Sequence, residues 1–168
     1  MQQKKLIHHY KNYAYILALV VFSFLINFHY SFIGVMPLDN FVLYNGGYRV
    51  LKGYVPFNDY WLVTGPLLDY LNALYFKLFD INWISYVSHS STFNVLISVS
   101  TYFLFLNIGL KREWSFIYSL LFSVLMYPAV GTPFVDHHSS IFLMLGFYLY
   151  MYSIINKKFL LLLYVPTI

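Results

Sequence analysis

The sequence predicts an all-α fold: a polytopic transmembrane helix bundle of about four spans and the start of a fifth, with interfacial helices in its first outer loop. Three observations predict it. Of the 168 residues, 60% are hydrophobic, 23% are aromatic and only 10% are charged, where soluble domains average about 25% charged. The apolar residues form runs of roughly the 20 residues that a helix needs to cross a bilayer core of about 30 Å. The basic residues fall in short clusters between those runs, as loops between spans require. This excludes disorder, a nucleic-acid-binding tail and an ordinary cytosolic enzyme, and nucleic acid as a partner. The chain has no cysteine, so it has no disulfide framework, thiolate metal site or cysteine nucleophile.

The elements follow in order. The first span is 13–35, closed by Pro37, and no small-residue cleavage site follows the basic residues before it, so it reads as a retained helix. Further spans are 83–108, 114–130 and 139–155, and 159–168 begins a fifth. The segment 65–79 is short for a span. Leu67, Leu68, Leu71, Leu74, Tyr75 and Leu78 share one helical face, and Asp69, Asn72 and Asp80 fall on the other. It is expected to lie flat in the interface. Charge agrees. With 65–79 flat, Lys4, Lys5, Lys11, Lys111, Arg112, Lys157 and Lys158 share one side, and Arg49, Lys52 and Lys77 face the other. The positive-inside rule then makes the N-terminus cytoplasmic. The outer loop 36–82 carries Asp39, Asp59, Asp69 and Asp80, and the loop 131–138 carries Asp136; Glu113 alone is inside.

No fixed-period repeat or dividing linker is visible, so 1–168 reads as a single transmembrane domain. Its apolar end is expected to make it the amino-terminal part of a longer protein or a truncated gene product. The usage of Tyr, Phe, Asn, Lys and Ile suggests an AT-rich bacterial genome, and the expected location is the bacterial inner (plasma) membrane.

The outer loop PLDNFVLYNGGYRVLKGYVPFNDYWLVTGP is ordered punctuation rather than a floppy connection. Asp39 precedes a short helical pattern of Phe41, Tyr44, Tyr48 and Leu51. Gly53 is a helix stop, and Pro56 and Gly65-Pro66 mark turns. Gly46-Gly47 means flexibility or close packing. The loop is expected to press on the membrane surface. Its aromatic residues belt the interface and fill packing, and Tyr44, Tyr48, Tyr54, Tyr60 and Trp61 are also of a kind that stacks on sugar.

These residues carry a resemblance. An acidic residue follows the first span; then come a Tyr-rich short helix, Gly-Tyr-Val-Pro-Phe-Asn-Asp-Tyr, Gly-Pro-Leu, and an amphipathic helix ending Lys-Leu-Phe. This order, over roughly 12–155, is similar to the GT-C membrane glycosyltransferases. More narrowly it resembles the protein-mannosyltransferase and aminoarabinose-transferase-like group, glycosyltransferase family 39 and its bacterial relatives. The resemblance implies an incomplete GT-C module whose partners are the lipid bilayer and a polyprenyl-phosphate-sugar donor. It implies transfer of the sugar at the outer face to an acceptor glycan, lipid or protein. It places the family's first acidic residue, base or metal ligand, at Asp39, and the second at Asp136. Two positions depart from it. No Lys precedes Pro66, and Asp39 is followed by Asn40 where protein mannosyltransferases carry Glu.

The chemistry of such a transfer needs a carboxylate to take the acceptor proton and a cation to neutralise the leaving phosphate. Asp39 and Asp136 are the candidate catalytic residues. Arg49, Lys52 and Asp59 are the candidate substrate-binding residues, Asp59 with the alternative of bracing its turn. Asp39, Asp136, His137 and His138 form the candidate ligand set for a divalent metal ion, the one cofactor considered. For Asp39 and Asp136 the plain alternative is a helix cap. His29 and His89 lie within spans and are expected to be hydrogen-bonded packing groups. Two other classes of function stay open: a transporter or flippase of lipid-linked glycans, and a non-catalytic membrane subunit.

Overall fold

The computed structural model describes residues 2–62, 64–126, 131–158 and 160, with the backbone alone for 2–11. Six helices account for these residues, and no strand forms among them: α1 (Gln2–Tyr30), α2 (Pro37–Leu51), α3 (Leu67–Phe79), α4 (Trp83–Asn107), α5 (Arg112–Met126) and α6 (Val135–Ile155). The all-helical expectation is met. Residues 127–130, the end of the expected third span, and 159–168 of the expected fifth lie outside the described residues, apart from Leu160.

Local chemistry sets the ends. Pro37 opens α2 at a position where its missing N–H costs nothing. Asn82 caps α4 by accepting from Ser85 N at 2.9 Å. The turn before it closes through Asn82 Nδ2 to Phe79 O at 2.9 Å and Ser85 Oγ to Asp80 O at 2.6 Å. Asp80 adopts φ 67° in that turn, so it belongs to the α3–α4 connection.

Hydrogen bonds between helices fix their directions. Asn12 on α1 meets Tyr102 on α4, Ser23 meets Asn94, and Asn27 meets Ser90 and Ser91. Rising numbers on one helix meet falling numbers on the other, so α1 and α4 are antiparallel. The segment 31–82 therefore leaves and re-enters at one end of the bundle, as expected of a 65–79 helix that does not cross. Asn94 also donates to Ser123 O, and Phe105 packs on Tyr118, so α5 is antiparallel to α4. His89 and His138 touch at one end of α4, and Asn107 and Asn156 at the other, so α6 runs parallel to α4.

Two segments among the described residues, Asn12–Tyr30 and Val135–Ile155, are long and apolar enough to cross a membrane. At 25 residues α4 is about 37 Å long, but it is rich in Ser, Asn and His. Those residues are inward. Ser85, His89, Ser90, Ser91, Asn94 and Ser98 of α4 are buried, as are Ser115, Ser119 and Ser123 of α5 and Ser23 and Asn27 of α1. Leu17, Leu25, Ile84, Leu96, Phe103, Leu121, Leu125, Leu143 and Phe147 are exposed. Even the exposed Thr92 hydroxyl folds back on Ser88 O at 2.8 Å. The bundle is polar at its seams and apolar on its surface. Gly131 seals the α5–α6 connection against α1. Its φ is 64°, a Cβ there would lie 2.5 Å from Ser31 N, and its carbonyl accepts from Asn27 Nδ2 at 2.9 Å and Ser90 Oγ at 2.5 Å.

α3 buries its polar face. Leu68, Asp69, Asn72, Ala73 and Phe76 are buried against α2 and α4, whereas Leu67, Tyr70, Leu74 and Leu78 are exposed. Asp69 and Asn72 therefore face protein, and most of the leucine stripe faces out.

Candidate functional site

The end of the bundle at which α4 and α6 begin is assembled by one buried polar set. Tyr86 on α4 donates its hydroxyl to Asn40 O at 2.9 Å and approaches Pro133 O at 3.4 Å. Thr132 Oγ1 donates to Asn40 Oδ1 at 2.8 Å. The first turn of α2 and the start of α6 are thus bound to the same residue of α4. Asp39 and Asp136 stand on these two turns. Both are exposed and both lie in the first turn of their helix, Asp39 after the Met36 cap and Asp136 after the Phe134 cap. A carboxylate there is stabilised by the helix dipole, and neither residue is itself the cap. α6 also starts four residues before the expected Ser139.

His137 and His138 differ. His138 is buried and its Nδ1 donates to Phe134 O at 3.0 Å, a bond within its own helix turn. His137 is half-buried beside the Phe134 ring. Among the described residues, no group of three or more His, Asp or Glu side chains is placed to hold a metal ion. Asp39, Asp136, His137 and His138 are therefore not gathered into one ligand set.

Asp59 braces its turn. Its carboxylate accepts from Val55 N at 2.7 Å and Asn58 Nδ2 at 2.8 Å. The brace aims the next residue, Tyr60, inward, where its hydroxyl donates to Asp69 Oδ2 at 2.7 Å. Arg49 lies over the Tyr60 ring, 5.1 Å from its centroid. Lys52 is exposed and lies 5.5 Å from the Tyr48 ring centroid. Of the three candidate binding residues, Arg49 and Asp59 join one cluster with Asp69, and Lys52 stands outside it.

Asp69 is the group that sequence reasoning underrated. It is 1% exposed. Burial pushes its carboxyl up, while the Tyr60 hydrogen bond and the Arg49 charge pull it down. Burial and the Asp69 carboxylate push the Tyr60 phenol up in turn. The carboxylate fits only because Gly46 has no side chain. A Cβ there would overlap all three carboxylate atoms, and Gly47 makes the same room for Asn72 and Phe76. The Gly46-Gly47 pair is close packing, and it was the signal in the sequence for what it faces.

One turn on, Asn72 Nδ2 donates to Leu43 O at 3.1 Å, which turns its Oδ1 toward His89 Nδ1 at 2.6 Å. His89 is the hydrogen-bonded packing group expected of it. His29 is exposed.

Comparison with known protein families, with curated proteins and with solved structures found no match.

Proposed function

We propose that this chain is a membrane-embedded glycosyltransferase module that uses a polyprenyl-phosphate-linked sugar at the outer face. In this reading α1, α4, α5 and α6 cross the bilayer. The polar-in, apolar-out surface supports four crossings. In water, seams of Ser and Asn beneath a surface of Leu and Phe would leave the bundle without a hydrophobic driving force. In lipid, small and hydrogen-bonding residues are what hold helices together. α4 and α5 owe their polarity to residues that lipid would not touch. Antiparallel α1 and α4 also put Lys111, Arg112, Lys157 and Lys158 at the end of α1 that begins the chain, which supports a cytoplasmic N-terminus.

The observation that carries the functional reading is the outer-end assembly. Asp39 and Asp136 stand exposed on two helix starts tied to one tyrosine of α4. In the reaction, Asp39 takes the proton of the acceptor hydroxyl as its oxygen bonds to the sugar's anomeric carbon. The bond from that carbon to phosphate oxygen breaks, and polyprenyl phosphate leaves with the electron pair. Lys52 is exposed and is the cation taken here to meet that phosphate, whereas Arg49 is half-buried over the Tyr60 ring.

Membranes expressing the full reading frame test this by transfer of radiolabelled sugar from polyprenyl-phosphate donors. The reading expects transfer that Asp39→Asn abolishes at unchanged expression. Transfer that persists in Asp39→Asn reduces Asp39 to a helix-dipole residue, and no transfer from any donor removes the enzymatic reading.

A further inference from the structure

The tip of the outer loop is built to hold two aromatic rings away from the protein. Phe57 has φ 67°, a conformation that bulky residues rarely adopt. The tip closes on itself to keep it there: Phe57 N donates to Tyr60 O at 2.9 Å, Asp59 N donates to Val55 O at 2.9 Å, and the Asp59 carboxylate holds Val55 N. Its neighbours alternate. Pro56 and Leu62 are buried and Tyr60 reaches in to Asp69, while Trp61 is 82% exposed and Phe57 57% exposed. The two exposed rings meet edge to face, with centroids 6.5 Å apart and planes at 85°. Tyr54 and Val55 beside them are exposed as well.

We propose that this tip is a fixed membrane anchor, with Phe57 and Trp61 seated at the boundary between headgroups and hydrocarbon of the outer leaflet. The proposal rests on the membrane placement argued above and adds an insertion site to it. Three features select lipid as the occupant. The tip is followed in the chain by α3, whose Leu67, Tyr70, Leu74 and Leu78 are exposed as well. Indole and phenol rings are the side chains that favour this boundary. Lys52 is exposed at the base of the same loop, where a cation meets lipid phosphate.

The absence of cysteine makes the full chain a clean background for single spin labels. Labels at Trp61→Cys, Lys52→Cys and Leu17→Cys, in bilayer nanodiscs of phosphatidylethanolamine and phosphatidylglycerol, are compared for collision with oxygen, which concentrates in lipid, and with a water-soluble nickel chelate. The proposal expects the label at 61 to favour oxygen severalfold over the label at 52, and the label at 17, on exposed α1, to favour it more. Oxygen access at 17 with nickel access at 61 equal to that at 52 overturns the anchor and leaves the membrane reading standing. Nickel access at 17 overturns both. Because the label replaces the indole, quenching of the native Trp61 by lipids brominated near the headgroup, in a Trp83→Phe, Trp114→Phe background, gives a second readout. Unquenched Trp61 there likewise overturns the anchor.

Discussion

Replacing Gly46 by alanine would put a methyl group where the Asp69 carboxylate now lies. On an isolated helix this change favours folding by about 1 kcal/mol. Here the added Cβ would sit 2.5 Å from Asp69 Oδ2 and closer still to the other two carboxylate atoms. No rotamer of a methyl relieves that overlap, so either α2 and α3 separate or Asp69 moves. Separation is overpacking, which costs about 1–3 kcal/mol. Movement breaks the 2.7 Å bond from Tyr60, and a hydrogen bond to a charged group is worth about 1.5–3 kcal/mol. The two routes are alternatives, and with the propensity gain subtracted the net loss is about 0.5–2 kcal/mol. Unfolding in detergent micelles titrated with dodecyl sulfate reads it. Gly65→Ala, where a Cβ meets nothing within 4 Å, should be near neutral. The decisive comparison is a double-mutant cycle with Asp69→Ala, which opens the space the methyl needs. The two changes should then couple by about 2 kcal/mol in the favourable direction. A Gly46→Ala protein as stable as wild type, or strictly additive changes, would refute the packing of α2 on α3.

Other outcomes follow from the same contacts. Tyr60→Phe leaves the buried Asp69 without its hydroxyl donor and should cost about 2 kcal/mol in the same titration. The Asp69 carboxyl is pushed up by burial, so it favours the folded state in its protonated form. That contribution is full below the ordinary carboxylate pKa and is lost as pH rises through the raised one. Stability should therefore fall over that range in wild type, and the slope should shrink in Asp69→Asn. Asn94→Ala removes donors to Ser23 O and Ser123 O, at 2.9 and 3.0 Å. It should loosen the α1–α4–α5 seam by about 1–2 kcal/mol, the upper range for hydrogen bonds between membrane helices.

Much of the fold is legible in the sequence because period and punctuation are local. The bounds expected at 83–108 match the helix α4 within a residue, and those at 65–79 match α3 within two at its start. Gly53 follows α2 as the stop read there, whereas Pro37, read as closing a first span at 35, opens α2, and α1 ends at Tyr30. Which way α3 faces was not legible. A leucine stripe opposite Asp and Asn turns inward in water and outward in lipid, and a sequence does not state the solvent on each side of a helix. Only the partner settles it, and the partner is Gly46-Gly47 on α2, whose bare backbone admits a carboxylate and an amide but leaves no space for two rows of leucine. The site was legible in part for the same reason. Asp39 and Asp136 could be placed at helix starts from flanking residues. The cluster of Arg49, Tyr60 and Asp69 joins positions up to 20 apart through a loop whose brace, Asp59, resembles any other loop acid until its turn is seen.

The central claim is a bundle with apolar surface in lipid and with Asp39, Asp136, α2 and α3 at its outer face. It is tested most directly by single cysteines at Leu38 and Lys111, which lie at opposite ends of the bundle, probed with a membrane-impermeant maleimide in spheroplasts. The account predicts that Leu38→Cys reacts in intact spheroplasts and that Lys111→Cys reacts only after permeabilisation. Reaction of Lys111→Cys from outside, or equal reaction of both before permeabilisation, would contradict it.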